Sequence, residues 1–229
     1  MGKQHILVLC FVMFALCSQA QPIALHPVNP HYFTYGGKPT ILVTSGEHYG
    51  AVLNLDVDYV TYLKTLKADR LNLTRLFTGV YVEPPGAFNI TRNTLAPDPG
   101  RYIGPWARSN VPGYANGGNK FDLAQWDTAY FVRLKAFMAY AEKCGVIVEL
   151  ALFCPFYEDA QWKLSPLHAA NNINQTGEFK NTDVYTLGRS GELLQLQEKL
   201  VRKIVQELAG YKNLIYEICN EPYFGGVTL

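Results

Sequence analysis

Short apolar runs rich in β-branched residues alternate along this chain with longer stretches of helical period, which confines it to parallel strands joined by helical crossovers. Ile41 to Thr44 reads as the first strand, and Asp56 opens a helical pattern that sets Val60, Leu63 and Leu66 on one face. Leu71 to Phe77 reads as the second strand. Asp122 is the expected cap of a second helix, which buries Trp126, Tyr130, Leu134, Phe137 and Ala141 and stops at Gly145. Val146 to Phe153 reads as a third strand. Leu193, Leu196, Leu200, Ile204 and Leu208 line a third helix whose other face carries Glu198, Arg202 and Lys203. Leu214 to Cys219 follows as a fourth strand.

Such alternation fits either an open doubly wound sheet or a barrel, and the connections favour the barrel. The links from helix to strand are tiny: Asp69-Arg70, Gly145, and Tyr211 to Asn213. The links leaving the second and third strands are long, from Thr78 to Phe121 and from Cys154 to Gly191. In an α/β barrel the loops after the strands build the active site and can grow without disturbing the core. The expected fold class is α/β, a (β/α)8 TIM barrel, here incomplete and covering about strands 1 to 4.

The first residues set a boundary. Lys3 to His5 is polar and basic, Ile6 to Cys17 is an apolar run, and Ser18-Gln19-Ala20 has small residues suited to a signal peptidase. Residues 1–20 are therefore expected to be a signal peptide, residues 21–229 part of one barrel domain, and the protein secreted or periplasmic. The apolar run is shorter than the roughly 18 to 20 residues a membrane helix needs, so no membrane association is expected after cleavage. A net charge of +1, with 17% charged residues, lacks the basic field that nucleic acid or an anionic membrane requires. Cys144, Cys154 and Cys219 have neither metal-ligand nor CxxC spacing, and both a single disulfide and buried free thiols stay open. Ser45-Gly46-Glu47 is no GxGxxG, Gly188-Arg189-Ser190-Gly191 is no GxSxG elbow, and no HExxH is present. No metal or cofactor is expected. Sequons stand at Asn72, Asn89 and Asn174.

The segment Ile215-Tyr216-Glu217-Ile218-Cys219-Asn220-Glu221-Pro222 is an apolar strand that ends in an amide, a carboxylate and a proline. At the C-terminal end of a barrel strand such groups converge on the cleft. The strand resembles the fourth strand of clan A glycoside hydrolases, the cellulase-like barrels, in its Asn-Glu-Pro. The resemblance implies that Glu221 is the catalytic acid/base and that Asn220 binds the sugar 2-hydroxyl. The implied activity is hydrolysis of β-linked poly- or oligosaccharides by a retaining mechanism, which needs two carboxyl groups about 5 to 5.5 Å apart. In that clan the nucleophile is a glutamate ending strand seven, whereas Leu229 follows shortly after strand four. The sequence is thus expected to be the N-terminal half of a longer enzyme, or alternatively an inactive carbohydrate-binding remnant. The resemblance runs from about His31 onward and departs from common cellulases at Phe153-Cys154-Pro155, where they carry a histidine.

Arg75, near the end of the second strand, resembles the clan's strand-two arginine, which holds the nucleophile ionised through charge-assisted hydrogen bonds. Snorkelling from the strand end is the plain structural alternative. Glu47 and His48 follow the first strand and suit sugar hydroxyls or loop bracing. Glu217 shares the inward face of Glu221 and reads as an interior hydrogen-bonding residue, and Glu149 as a packing residue. The long loops carry Tyr81, Tyr102, Trp106, Tyr114, Tyr157 and Trp162, with Trp162 the first choice for stacking on a sugar. Glu158 or Asp159 is the remaining candidate for a substitute nucleophile. Half a barrel exposes apolar edges, so self-association is expected.

Overall fold

The computed structural model describes residues 21–44 and 48–223. The expected signal peptide and Glu47 lie outside the described residues. The chain opens with a small antiparallel sheet of β1 (Ala24–Leu25), β2 (Phe33–Tyr35) and β3 (Lys38–Thr40). Ile23 N–H donates to the Lys212 carbonyl at 2.9 Å, tying this sheet to the turn that precedes the last strand.

The central sheet is parallel and ordered β4 (Leu73–Phe77), β7 (Ile147–Phe153), β8 (Leu214–Cys219). These are the second, third and fourth strands expected from the sequence. Arg75 pairs with Glu149, Glu149 with Ile215, and Ala151 with Glu217, which fixes the faces. Because strand side chains alternate, one face collects Arg75, Phe77, Glu149 and Glu217, while Leu76, Val148 and Leu150 point the other way and are fully buried. Polar residues on one face and helices over the other are the arrangement of a barrel wall. Among the described residues the sheet is open and does not close into a barrel.

Three helices supply the covering layer. α1 (Tyr59–Ala68) buries Leu63 and Leu66, α2 (Thr128–Cys144) buries Tyr130, Leu134, Phe137 and Ala141, and α4 (Leu193–Leu208) buries Leu193, Leu200, Ile204 and Leu208. Full burial of each large apolar side chain contributes about 1.5 to 3 kcal/mol, so these stripes dominate the packing. Gly145 caps α2 at φ 75°, in the left-handed region that glycine enters without a Cβ clash.

The expected helix starts were misplaced. α1 is capped by Asp58, whose carboxylate accepts from Thr61 N–H at 3.0 Å, whereas Asp56 is ion-paired to Arg101 at 2.6 Å. α2 is capped by Asp127, which accepts from Ala129 and Tyr130 N–H. Asp122 and Trp126 belong instead to β6 (Asn119–Trp126), which forms an antiparallel hairpin with β5 (Trp106–Pro112). Phe121 and Leu123, buried on alternate positions, follow a strand period there rather than a helical one.

The expected first strand also differs. Ile41 to Thr44 forms no ladder; it lies along the start of β4, with Val43 O accepting from Asn72 and Leu73 N–H at 3.0 and 3.1 Å. The Asn72 side chain holds it at both ends, donating to Ile41 O and accepting from Val43 N–H, each at 2.8 Å. A side-chain clamp thus replaces the ladder. Cys144, Cys154 and Cys219 are free thiols. Among the described residues no helix is long and apolar enough to cross a membrane.

Candidate active site

The C-terminal ends of β4, β7 and β8 open into a cleft of about 610 Å³. Its floor is organised by Arg75. This guanidinium donates to Tyr49 Oη at 2.9 Å and to Asn220 Oδ1 at 2.9 Å, and is hydrogen-bonded and ion-paired to Glu217. Glu149 Oε2 lies 3.5 Å from Nε, too far for a hydrogen bond but close enough for charge attraction. Arg75 also sits over the Tyr49 ring, 5.0 Å from its centroid, and Tyr49 stacks on Phe77 at 4.5 Å.

This clustering shifts the titration of its members. Burial acts to lower the Arg75 pKa, but the Glu217 hydrogen bond and the neighbouring negative charges outweigh it and the net shift is upward. Glu149 is pushed above the ordinary glutamate range by burial; Arg75 pulls it down and Glu217 repels its charge.

Asn220 extends the strand pairing one residue beyond β8, its N–H donating to Phe153 O at 2.9 Å. The side chain is 8% exposed. With Oδ1 held by Arg75, its Nδ2 donates to Tyr157 Oη at 3.1 Å and contacts Cys154 Sγ at 3.7 Å. Tyr157 in turn donates to Glu221 Oε2 at 2.9 Å. Arg75, Asn220, Tyr157 and Glu221 therefore form one hydrogen-bonded relay along the floor. Burial, the neighbouring Cys154 and the bond to Glu221 raise the Tyr157 pKa, so the phenol keeps the proton that it donates. Burial pushes the Cys154 thiol up to about 12, leaving it a neutral packing group.

Glu221 is exposed, and its backbone turns away from the sheet at φ 39° just before Pro222. A glutamate in that left-handed region is strained, and proline at the next position ends strand pairing. The carboxylate lines the cleft, where an approaching molecule can reach it.

Of the residues singled out in the sequence, His48, Arg75, Tyr81, Cys154, Tyr157, Asn220 and Glu221 line this one cleft. His48 stacks on Tyr62 with ring centroids 4.3 Å apart. Trp162 does not join them. It is 3% exposed, its indole N–H donates to Phe179 O at 2.9 Å, and its ring packs on Phe156, which leaves no face for a sugar. Tyr102, Trp106 and Tyr114 are likewise buried, holding the hairpin down on the barrel wall. Glu158 is the N-cap of the short α3 (Asp159–Trp162), its backbone N–H donating to Gln161 Oε1 at 2.6 Å, and neither it nor Asp159 lines the cleft.

The sequence reading missed Tyr49, Glu83 and Phe88 as lining residues. Glu83 had a visible signal, a carboxylate closing the otherwise apolar run Val80-Tyr81-Val82. Phe88 had none. Among the described residues no group of three or more His, Cys, Asp or Glu is placed to hold a metal ion.

Neither a family model nor a curated protein matches the chain. Solved structures do. A Bacteroides vulgatus protein provisionally described as a glycoside hydrolase aligns over 91% of this chain and 34% of its own, at 14% identity and a TM-score of 0.54. A β-mannanase from the blue mussel Mytilus edulis aligns over 89% of this chain and 45% of its own, at 12% identity and a TM-score of 0.48. A β-1,4-D-mannanase from Cryptopygus antarcticus aligns over 89% and 44%, at 17% identity and a TM-score of 0.44. The chain spans between a third and a half of the length of these structures. At such identities the likeness is one of fold, and that fold is an incomplete (β/α)8 barrel.

Proposed function

We infer that the protein belongs to an exported retaining glycoside hydrolase acting on β-linked poly- or oligosaccharides, with Glu221 as the acid/base. One observation carries this reading: Glu221 stands at the C-terminal end of a parallel strand, lining the cleft and oriented by Tyr157. A general acid must present its proton to the glycosidic oxygen from a fixed direction, and a single phenol donor to one carboxylate oxygen leaves the other free to do so. Asn220, immobilised by Arg75 and Tyr157, lines the cleft beside Glu221, and the second lone pair of its Oδ1 is the group that would accept from a sugar hydroxyl. In this scheme Arg75 acts as a positioning residue, because Glu217, Asn220 and Tyr49 hold three of its five N–H donors and tie it to the floor.

The nucleophile is assigned by resemblance to a later strand. Within the cleft itself, Glu83 is the other lining carboxylate among the described residues, and both of its oxygens are hydrogen-bonded. That observation favours a second reading for the 229-residue chain by itself, saccharide binding without turnover.

The deciding experiment uses the natural gene product with all sequence that accompanies these residues. Reducing-sugar release from mannan, cellulose and xylan should fall about a hundredfold or more in Glu221→Gln, while an aryl glycoside whose leaving group needs no protonation loses far less. Equal losses of kcat/KM on both substrates, or an unchanged rate on the polysaccharides, would exclude the acid/base role. Binding without any release by the wild-type protein would select the second reading.

A further inference from the structure

The cleft has a second wall, the segment from Glu83 to Leu95, to which the floor relay assigns no role. Glu83 is 5% exposed yet lines the cleft. Its Oε1 accepts from the Tyr81 hydroxyl at 2.9 Å and its Oε2 from the Asn93 amide. No Lys, Arg or His among the described residues forms an ion pair with it. A buried carboxylate without a counter-ion is costly unless hydrogen bonds satisfy it, and two donors fill only about half of its acceptor directions. The unfilled directions call for further donors from a molecule in the cleft, and sugar hydroxyls are donors of the right kind.

Phe88 stands on the same wall. Its ring is 57% exposed and meets the Tyr157 ring edge-on, at 5.6 Å between centroids. Its backbone is left-handed at φ 54°, as are those of Asn89 at 57° and Arg92 at 56°. Three strained non-glycine residues in five positions hold an aromatic ring out of the core, an arrangement that burial does not reward. Tyr157 touches both Phe88 and Glu221, so the Phe88 ring is one tyrosine away from the Glu221 carboxylate.

We propose that Phe88 and Glu83 form a saccharide subsite adjoining Glu221, with Phe88 as the platform for the C–H face of a pyranose and Glu83 as acceptor for its hydroxyls. The subsite selects glycans whose unit at this position carries adjacent free hydroxyls, since a carboxylate accepts two such donors at once. It rests on the reading of the cleft as a glycan site.

The test is calorimetric binding of cellotetraose, mannotetraose and xylotetraose to the protein carrying Glu221→Gln, in which turnover cannot confuse the titration. Adding Phe88→Ala should weaken the best of these ligands about three- to tenfold, and Phe88→Tyr should restore it. Adding Glu83→Gln should weaken it about tenfold or more. The Phe88 ring is exposed, so the alanine variant should keep the parent's unfolding midpoint; if Glu83→Gln unfolds, the Phe88 pair decides. Unchanged affinity in a folded variant of either residue overturns the subsite while leaving the glycan reading in place. Failure of the parent to bind any of the three tetrasaccharides overturns both.

Discussion

Arg75 lies between Glu149 and Glu217 on three neighbouring strands, and this triad links the barrel interior to the cleft floor. One cation faces two carboxylates, so one of them carries an excess of negative charge. Glu149 shows it, its pKa raised by burial and by Glu217 despite the pull of Arg75. The folded protein therefore holds this proton to higher pH than the unfolded chain does. Between the two values the native state binds more protons, and stability falls as pH rises through that window. Glu149→Gln removes the dependence. Its urea midpoint should rise relative to wild type on going from about pH 4 to about pH 7, and an unchanged difference between those pH values would contradict the assignment. At this scale the sequence was informative about Arg75, Asn220 and Glu221, because polar groups at apolar strand ends stand out by contrast. It could not identify the partners. Glu217 lies 142 positions from Arg75, and only register between strands brings them together.

Among the elements, α2, α4, β4, β7 and β8 were legible in the sequence because each carries a period long enough to distinguish helix from strand. The hairpin β5-β6 was not, since Phe121 and Leu123 give too few alternations to outweigh the helical pattern beginning shortly afterwards. Loop packing is harder still, as Gly50 shows. Its N–H donates to Thr94 Oγ1 at 3.1 Å, and a Cβ at this position would collide with the Thr94 carbonyl. This contact seats the Glu83 to Leu95 wall against the loop that follows the Ile41 to Thr44 segment. Gly50→Ala should cost about 1 to 3 kcal/mol, as overpacking of a tight contact does, and should displace the wall that carries Phe88. Urea unfolding measures the cost. A variant as stable as wild type would mean that the backbones separate without penalty and that the wall is not held here.

For the whole molecule, the open sheet leaves apolar groups in water. Ile218, on the outer face of β8, is 73% exposed and Tyr216 is 37% exposed, while at the other side Ile41 is 64% exposed. Among the described residues β8 is an edge strand, with backbone groups and an apolar face available together. Residues 21–229 produced alone should self-associate in sedimentation velocity, and Ile218→Lys should shift them toward monomer. A monodisperse wild-type monomer would show that this edge is not sticky. The sequence by itself determined the alternation of strands and helices, the inward face of Glu217, and the carboxylate at the strand end, because period and local contrast are properties of neighbouring residues. Only the tertiary structure decided that Trp162 is a packing residue, that Asn72 clamps the Ile41 to Thr44 segment, and that Tyr157 connects Asn220 to Glu221. Those outcomes depend on which distant surfaces meet when the core closes, and no local pattern encodes that meeting.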